Sequence, residues 1–425
     1  MAAFPPLRGT SLLLVSCILL VASVFNDPPW KWYSPSQHMP SSGEPAHVVA
    51  SLLRSGTFAN PFAPMDTGPT AHVAPVFPFL QFLLIKIFGS GAAGWLALRW
   101  MPTIAFCLQL ALLPYFARIF GYSPWTGVLA AVFGLIAKPG KEELWEAHLA
   151  GLLCLLLAGL FCRWTQGSRG AGTTWSIGLL AGVATLLQPA FALVYFAWLA
   201  WVTFKSVVSW RRLAPLWFLP IAICAPWMIR NFMVLGTPAI RDNLGLELYV
   251  SFNDCAPFGV RESERQLCST AFHPNDNLAE AAEVRRLGEY KYNRHRLHRA
   301  LQWIAAHPLR SASLAGQRLW FFWFPSDYGW RGYVDQRKRI WALHAMTLAS
   351  IAGLILAFRR TPAAAYVFTL WLAAFPIIYY LVQFEARYRY PILWITWLLA
   401  AYAASPVIVR GLRVFPHLLG QNTRS

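Results

Sequence analysis

Ionisable residues are sparse in this chain, and those able to do chemistry gather at the ends of apolar runs. They are Glu44, His72, the cluster Glu142, Glu143 and Glu146, and the arginines Arg230, Arg318, Arg387 and Arg389. An acid beside arginines suits displacement at a carbon that carries a phosphate. The carboxylate takes the proton of the attacking group. The guanidinium groups hold the departing phosphate through charge-assisted hydrogen bonds. Groups placed where apolar segments meet water act on a substrate that enters at a membrane surface, so the phosphate is expected on a lipid.

Each candidate also has an ordinary structural role. Glu44 stands three residues after Ser41 and could complete a capping box. Glu142, Glu143 and Glu146 open an apolar helix, whose dipole favours acids. "FEARYRYP", residues 384–391, could anchor a helix at the interface. Two arginines flanking Tyr388 are a denser arrangement than anchoring needs, and they suit a grip on phosphate.

The elements that must position these groups follow from composition and periodicity. Of 425 residues, 57% are hydrophobic and 13% charged, with 21 Trp and 15 Tyr. Soluble domains carry roughly 25% charged residues, and aromatic rings favour membrane interfaces. The expectation is an all-α polytopic membrane protein. The net charge of +18 is spread over short loops and one polar region, which argues against nucleic acid and for a membrane partner. Ten apolar spans are expected, at 10–26, 95–117, 124–138, 145–162, 174–190, 191–205, 213–229, 340–358, 362–382 and 390–409. The first reads as an uncleaved anchor rather than a signal peptide.

Arg8, Arg118, Arg163, Arg169, Lys205, Arg211, Arg212, Arg359, Arg360, Arg410 and Arg413 fall at every second boundary. The positive-inside rule then puts both termini in the cytoplasm and 27–94, 139–144, 230–339 and 383–389 outside. The apolar stretch 75–89 is too short to span. It is expected to lie at the interface beside a second amphipathic helix that starts at Glu44. There Val48, Val49, Leu52 and Leu53 make the apolar face, and His47, Ser51, Arg54 and Ser55 the other. Three regions result: 1–229, membrane helices with the first external loop 27–94; 230–339, external and mostly helical; and 340–425, C-terminal membrane helices.

Within 230–339, "DNLAEAAEVRRLGEYKYNRHRLHRALQWIAAHP" predicts one long helix, capped by Asn277 with Glu280 and stopped at His307-Pro308. Its face carries Arg285, Arg286, Lys291, Arg294, Arg296 and Arg299, which suits lipid headgroups or an acidic acceptor. Cys255 and Cys268 share the external loop and are expected to pair; the other five cysteines lie in spans. No metal-ligand spacing appears, so no cofactor is assigned, and a divalent metal is left open.

The order of these segments resembles the GT-C fold membrane glycosyltransferases, in the superfamily of the dolichyl-phosphate-mannose-protein mannosyltransferases and the lipid A aminoarabinose transferases. It is carried by "VVASLLRSG" after the first acid, "TGPTAHVAPVFPFLQFLLIKIFG", "GLLAGVATLLQP", "PWMIRNFMVLGTPAIRDNLGLELYV", "HPNDN" with "VRRLGEYKYNR", and "EARYRYPI" before the last span. The resemblance implies an inverting transfer of a sugar from a polyprenyl-phosphate donor to a lipid, glycan or protein acceptor on the external face, with Glu44 as base. A second acidic site is implied at Glu143 or Glu146. Many members carry an acid pair where this chain has Gly43 and Glu44. Where some carry a basic residue before the proline of the second interfacial helix, this chain has Ala74, with His72 nearby as a substrate contact. Arg387 and Arg389, with Arg230 or Arg318, are expected to hold the lipid phosphate. The implied location is the bacterial inner membrane, with the site on its periplasmic face. The rival readings are a lipid-sugar flippase or transporter, which would need ionisable groups along the spans, and a non-catalytic membrane scaffold.

Overall fold

The structure, a computed structural model, describes residues 7–26, 28–32, 43–62, 65–137, 145–205, 208–326 and 336–414. Among them it contains helices and two isolated β-bridges, Ala59 with Pro69 and Gly259 with Phe384, but no β-strand. All ten apolar segments are helical. Six helical stretches are long and apolar enough to cross a bilayer: one starting at Thr10, then Ala92–Ile119, Ala147–Thr165, Trp210–Leu235, Lys338–Arg360 and Pro362–Leu381. Helices Pro124–Ala137, Ala171–Leu187 and Ala190–Lys205 have 14, 17 and 16 residues, short of the roughly 20 that a bilayer core asks for. The chain is an integral membrane protein.

The bundle is held by an aromatic core that is continuous across many helices. Phe161 and Trp198 stack at 4.2 Å and 5°, and Phe120 meets Phe368 edge to face at 4.8 Å. Such pairs add about 1 kcal/mol each beyond burial. In a bilayer, where lipid is as apolar as Leu, this shape fit decides which helices meet.

Both short helices of the first loop form. Gly43–Ser55 buries Val48 and Leu52 against Phe58 and Val73, and Val49 against Ile85 and Leu98. Ser51, expected on the outer face, is instead fully buried and lies near the Thr57 hydroxyl and the Asn60 amide. The loop after the helix folds back over that position. Helix Val76–Phe88 follows Pro75 and leaves Phe79, Leu83, Ile87 and Phe88 exposed, as an apolar surface facing lipid would.

The helix expected to end at 229 runs on to Leu235 and stops at Gly236, which is left-handed. Beyond it lies a polar helical unit. The expected single helix through 276–308 is two: Leu278–Leu287 and Glu289–Ala306. The break is Gly288, with φ +77°, a conformation that glycine adopts without strain. The kink turns Glu289 into the interior. Asn277 caps the first helix, accepting from the amides of Ala279 and Glu280. Glu280 does not reach back; it accepts from Arg296 and Tyr292. Arg296 is therefore buried, while Arg285, Arg286, Lys291, Arg294 and Arg299 stay exposed. Cys255 and Cys268 are joined by a disulfide, with Cα atoms 5.8 Å apart.

Candidate active site

Where the short first-loop helices, the polar unit and the ends of the membrane helices meet, they enclose a cavity of about 300 Å³. Its wall includes Glu44, His72, Trp145, Glu146, Arg241 and Arg387, with Glu247, His273, Asn275, Asp276, Glu385 and Tyr388. Six separate stretches of chain supply these groups.

Glu44 enters on the first turn of its helix, preceded by Gly43 at φ +75°. A side chain at 43 would put its Cβ 2.7 Å from the Trp145 ring. The indole thus fills the space beside Glu44 that a side chain at 43 would need. Across that indole lies the Arg387 guanidinium, 3.7 Å from its centre, a cation–π contact. Asn275 Nδ2 donates to Glu44 Oε1 at 2.6 Å, and His273 Nε2 lies 3.8 Å from the same oxygen. Ser41, the partner of the expected capping box, lies outside the described residues, as do Glu142 and Glu143.

Burial pushes the Glu44 carboxyl up, and the imidazoles of His72 and His273 when protonated, its own backbone amide and Arg387 pull it down, with the balance downward. The carboxyl lies below the usual range and is ionised at neutral pH. This reverses the simple expectation that partial desolvation raises a base near an apolar interface. Burial pulls His72 down to about 3, so its imidazole is neutral. At pH 7 the hold on Glu44 therefore falls to the His273 N–H, the Asn275 amide, the backbone and Arg387. His72 Nδ1 is buried without a hydrogen-bond partner, and the ring packs edge-on against Phe62 at 4.8 Å.

The segment carrying His72 is pinned from the polar unit. The Ala71 amide donates to Glu289 Oε1 at 2.7 Å, and the Thr70 hydroxyl to Oε2. Arg241 Nε donates to the His72 carbonyl at 2.8 Å, and the Asp242 amide to that of Ala71 at 2.8 Å. Burial raises the Glu289 carboxyl to about 8 and Asp242 to about 6.

Of the arginines expected at the phosphate, Arg387 alone lines the cavity. Arg230 donates to the carbonyls of Thr70 and Phe58, at 2.8 and 2.9 Å. Arg318 is fully buried and donates to the carbonyls of Ser251, Leu381 and Pro257. Arg389, also fully buried, bonds the Trp323 carbonyl at 2.7 Å and the Thr347 hydroxyl at 2.8 Å. Burial lowers the Arg318 and Arg389 guanidinium groups to about 9, so both remain cations at pH 7. These three arginines join separate segments by donating to backbone carbonyls. Tyr388 lines the cavity and stacks on Tyr379 at 4.5 Å. Glu146 stands at the N-terminus of helix Ala147–Thr165 and faces the cavity.

Sequence reasoning did not single out Arg241, His273, Asn275 or Trp145. Arg241 and the "HPNDN" run lie in segments that carried the resemblance, which was the available signal. Among the described residues no group of His, Cys, Asp and Glu is arranged to hold a metal ion.

A helical membrane bundle with a short-helix first loop and this cavity at its end is the GT-C fold. The solved structures that the chain resembles include the archaeal oligosaccharyltransferase AglB of Archaeoglobus fulgidus in complex with an inhibitory peptide and a dolichol-phosphate. The match has 14% identity and a TM-score of 0.53, and covers 98% of this chain and 52% of that one. The same organism's oligosaccharyltransferase in complex with Zn and sulfate matches at 15% identity and a TM-score of 0.55, over 96% and 51% of the two chains. The chain thus spans about half the length of the oligosaccharyltransferase chains it matches. ArnT of Cupriavidus metallidurans bound to undecaprenyl phosphate aligns over 97% of this chain and 80% of its own at 14% identity, with a TM-score of 0.35 too low to carry weight. No family model and no curated protein matches the sequence.

Proposed function

We propose that this protein is an inverting glycosyltransferase that moves a sugar from a polyprenyl-phosphate carrier to an acceptor at the external membrane face. The observation that carries the reading is Glu44, an ionised, largely buried carboxylate that shares one cavity with Arg387 and Arg241 at the end of the membrane bundle. The acceptor hydroxyl or amine attacks the anomeric carbon on the side opposite the phosphate. The new bond forms as the carbon–oxygen bond to phosphate breaks, and the electron pair leaves with the polyprenyl phosphate. The acceptor proton goes to Glu44. Arg387, steadied by the Trp145 ring, and Arg241 stabilise the leaving phosphate; this moves to Arg241 a role that sequence reasoning gave to Arg389. Phosphate departs readily, so the step needs no general acid. Glu146 and Tyr388 are assigned to the sugar, and His72 offers Nδ1 as a further polar contact. The outward orientation rests on the alternation of arginine-bearing loops.

The test is mass spectrometry of glycans and lipids from cells with the gene, without it, and with Glu44→Gln. The substitution keeps size and hydrogen bonding but removes the proton acceptor. Product formation is expected to fall about 10²–10⁴-fold with the protein still folded in the membrane. Normal product from the Gln variant overturns the reading.

A further inference from the structure

Glu44 is set in place by a segment 231 residues further along the chain. A carboxylate only accepts hydrogen bonds, so the Asn275 group at 2.6 Å from Oε1 must be its NH₂, and the orientation of the amide is fixed. That orientation turns Oδ1 away from Glu44. Oδ1 is buried without a partner, on a residue that lines the cavity. The Asn275 backbone amide donates to His273 Nδ1 at 3.1 Å. The imidazole proton therefore sits on Nε2, the nitrogen 3.8 Å from Glu44 Oε1.

The segment itself is stiff. Pro274 is buried between the two contact residues. The His273 carbonyl accepts from the amides of Asp276 and Asn277, both at 3.0 Å. Helix Cys268–Phe272, tied by the disulfide, precedes it, and the Asn277-capped helix follows.

We propose that Asn275 is a positioning residue for the base, a proposal that rests on the glycosyltransferase reading. Its NH₂, with the His273 N–H, fixes Glu44 Oε1 and leaves Oε2 to receive the acceptor's proton. Its Oδ1 accepts a hydroxyl or amine hydrogen of the bound substrate. One side chain thus sets both the base and the group the base acts on. The other charged or titratable groups lining the cavity with Glu44 are His72 from the first loop, Glu146, Arg241 with Glu247, Glu264, Asp276, and Glu385 with Arg387 and Tyr388. None of these is changed by a substitution at 275.

The experiment reads the Glu44 carboxylate directly. Protein labelled with carboxyl-¹³C glutamate is titrated by infrared spectroscopy, and the signal of Glu44 is isolated as the difference from Glu44→Gln. Asn275→Asp replaces a donor with an unlabelled like charge and is expected to raise the Glu44 midpoint by about one pH unit, tenfold in proton affinity. Asn275→Ala is expected to raise it less. Product in cells is expected to fall at least tenfold in both, and Asn275→Asp, being of equal size, covers the case in which the Ala variant does not fold. If Glu44→Gln abolishes product while Asn275→Asp changes neither the midpoint nor the product, the positioning role is overturned and the glycosyltransferase reading stands. If Asn275→Asp moves the midpoint but Glu44→Gln leaves product intact, the functional reading falls and the placement of Glu44 by Asn275 stands.

Discussion

Glu289 gives the sharpest prediction about how the site is held together. Its carboxyl is buried at the start of its helix and clasps Thr70 and Ala71, directly before His72. Burial lifts it from an ordinary value of 4.5 to about 8. Between those values the folded protein keeps a proton that the unfolded chain has released, so stability falls as pH rises through this window and levels off above about 8. At about 1.4 kcal/mol per pH unit, the loss approaches an upper limit of about 5 kcal/mol, and half of that is easily measured. Glu289→Gln is neutral throughout. It can still accept from the Ala71 amide, while its NH₂ faces the Thr70 hydroxyl. The two proteins should melt together near pH 5. From there to pH 8 the variant should gain several degrees over wild type, and the gap should then stay constant. Thermal unfolding in detergent at matched pH steps measures it, because contributions from groups that do not interact with Glu289 cancel in the difference; Asp242, whose charge helps raise Glu289, adds a smaller change around pH 6. Parallel melting curves across the range would refute the reasoning, since a carboxylate that titrates normally gives no widening gap.

Arg387→Ala is expected to weaken donor use ten- to a hundredfold, the cost of a lost charge-assisted hydrogen bond, with little change in melting temperature. Arg389→Ala takes a charge-assisted hydrogen bond from the Trp323 carbonyl and another from the Thr347 hydroxyl, which still bonds the Leu343 carbonyl, and should cost about 1–3 kcal/mol of stability instead; the two readouts, taken on both variants, should separate cleanly. Gly43→Ala meets both a left-handed backbone and the Trp145 ring; about 1–2 kcal/mol of backbone strain plus displacement of the indole should lower product severalfold by mass spectrometry. Purified, unreduced protein should resist maleimide at Cys255 and Cys268, and replacing both with Ser should cost about 3 kcal/mol in unfolding experiments.

The elements around the site were largely legible. The heptad-like spacing of Val48, Val49 and Leu52 marked the Glu44 helix, and Asn277 marked the start of another, because side-chain periodicity and caps are local signals. Gly288 was read through, since one glycine inside a helical pattern is often tolerated; its positive φ is set by packing of Glu289 that no local pattern announces. The arginines mark the general limit. Sequence placed Arg230, Arg318, Arg387 and Arg389 at the outer ends of apolar segments; Arg230 and Arg318 lie inside helices Trp210–Leu235 and Pro308–Trp323, and Arg387 and Arg389 in the short helical turn Ala386–Ile392. It could not tell which way each guanidinium turns, and three of them turn toward backbone carbonyls. Asn275 and His273 escaped notice for the same reason: their meaning lies in a contact with Glu44 across most of the chain.

That separation has a consequence for biosynthesis. Glu44 is made before Asn275, which follows 231 residues later. At roughly 5–20 residues per second, a growing chain carries its carboxylate for roughly ten to fifty seconds before its partner exists, and longer before Arg387 is added. During that interval the nascent protein is already threading into a membrane stocked with lipid, yet it holds no finished reaction centre. A ribosome that stalls or a message that is cut short before residue 275 leaves Glu44 in the membrane without the partner that fixes its carboxylate.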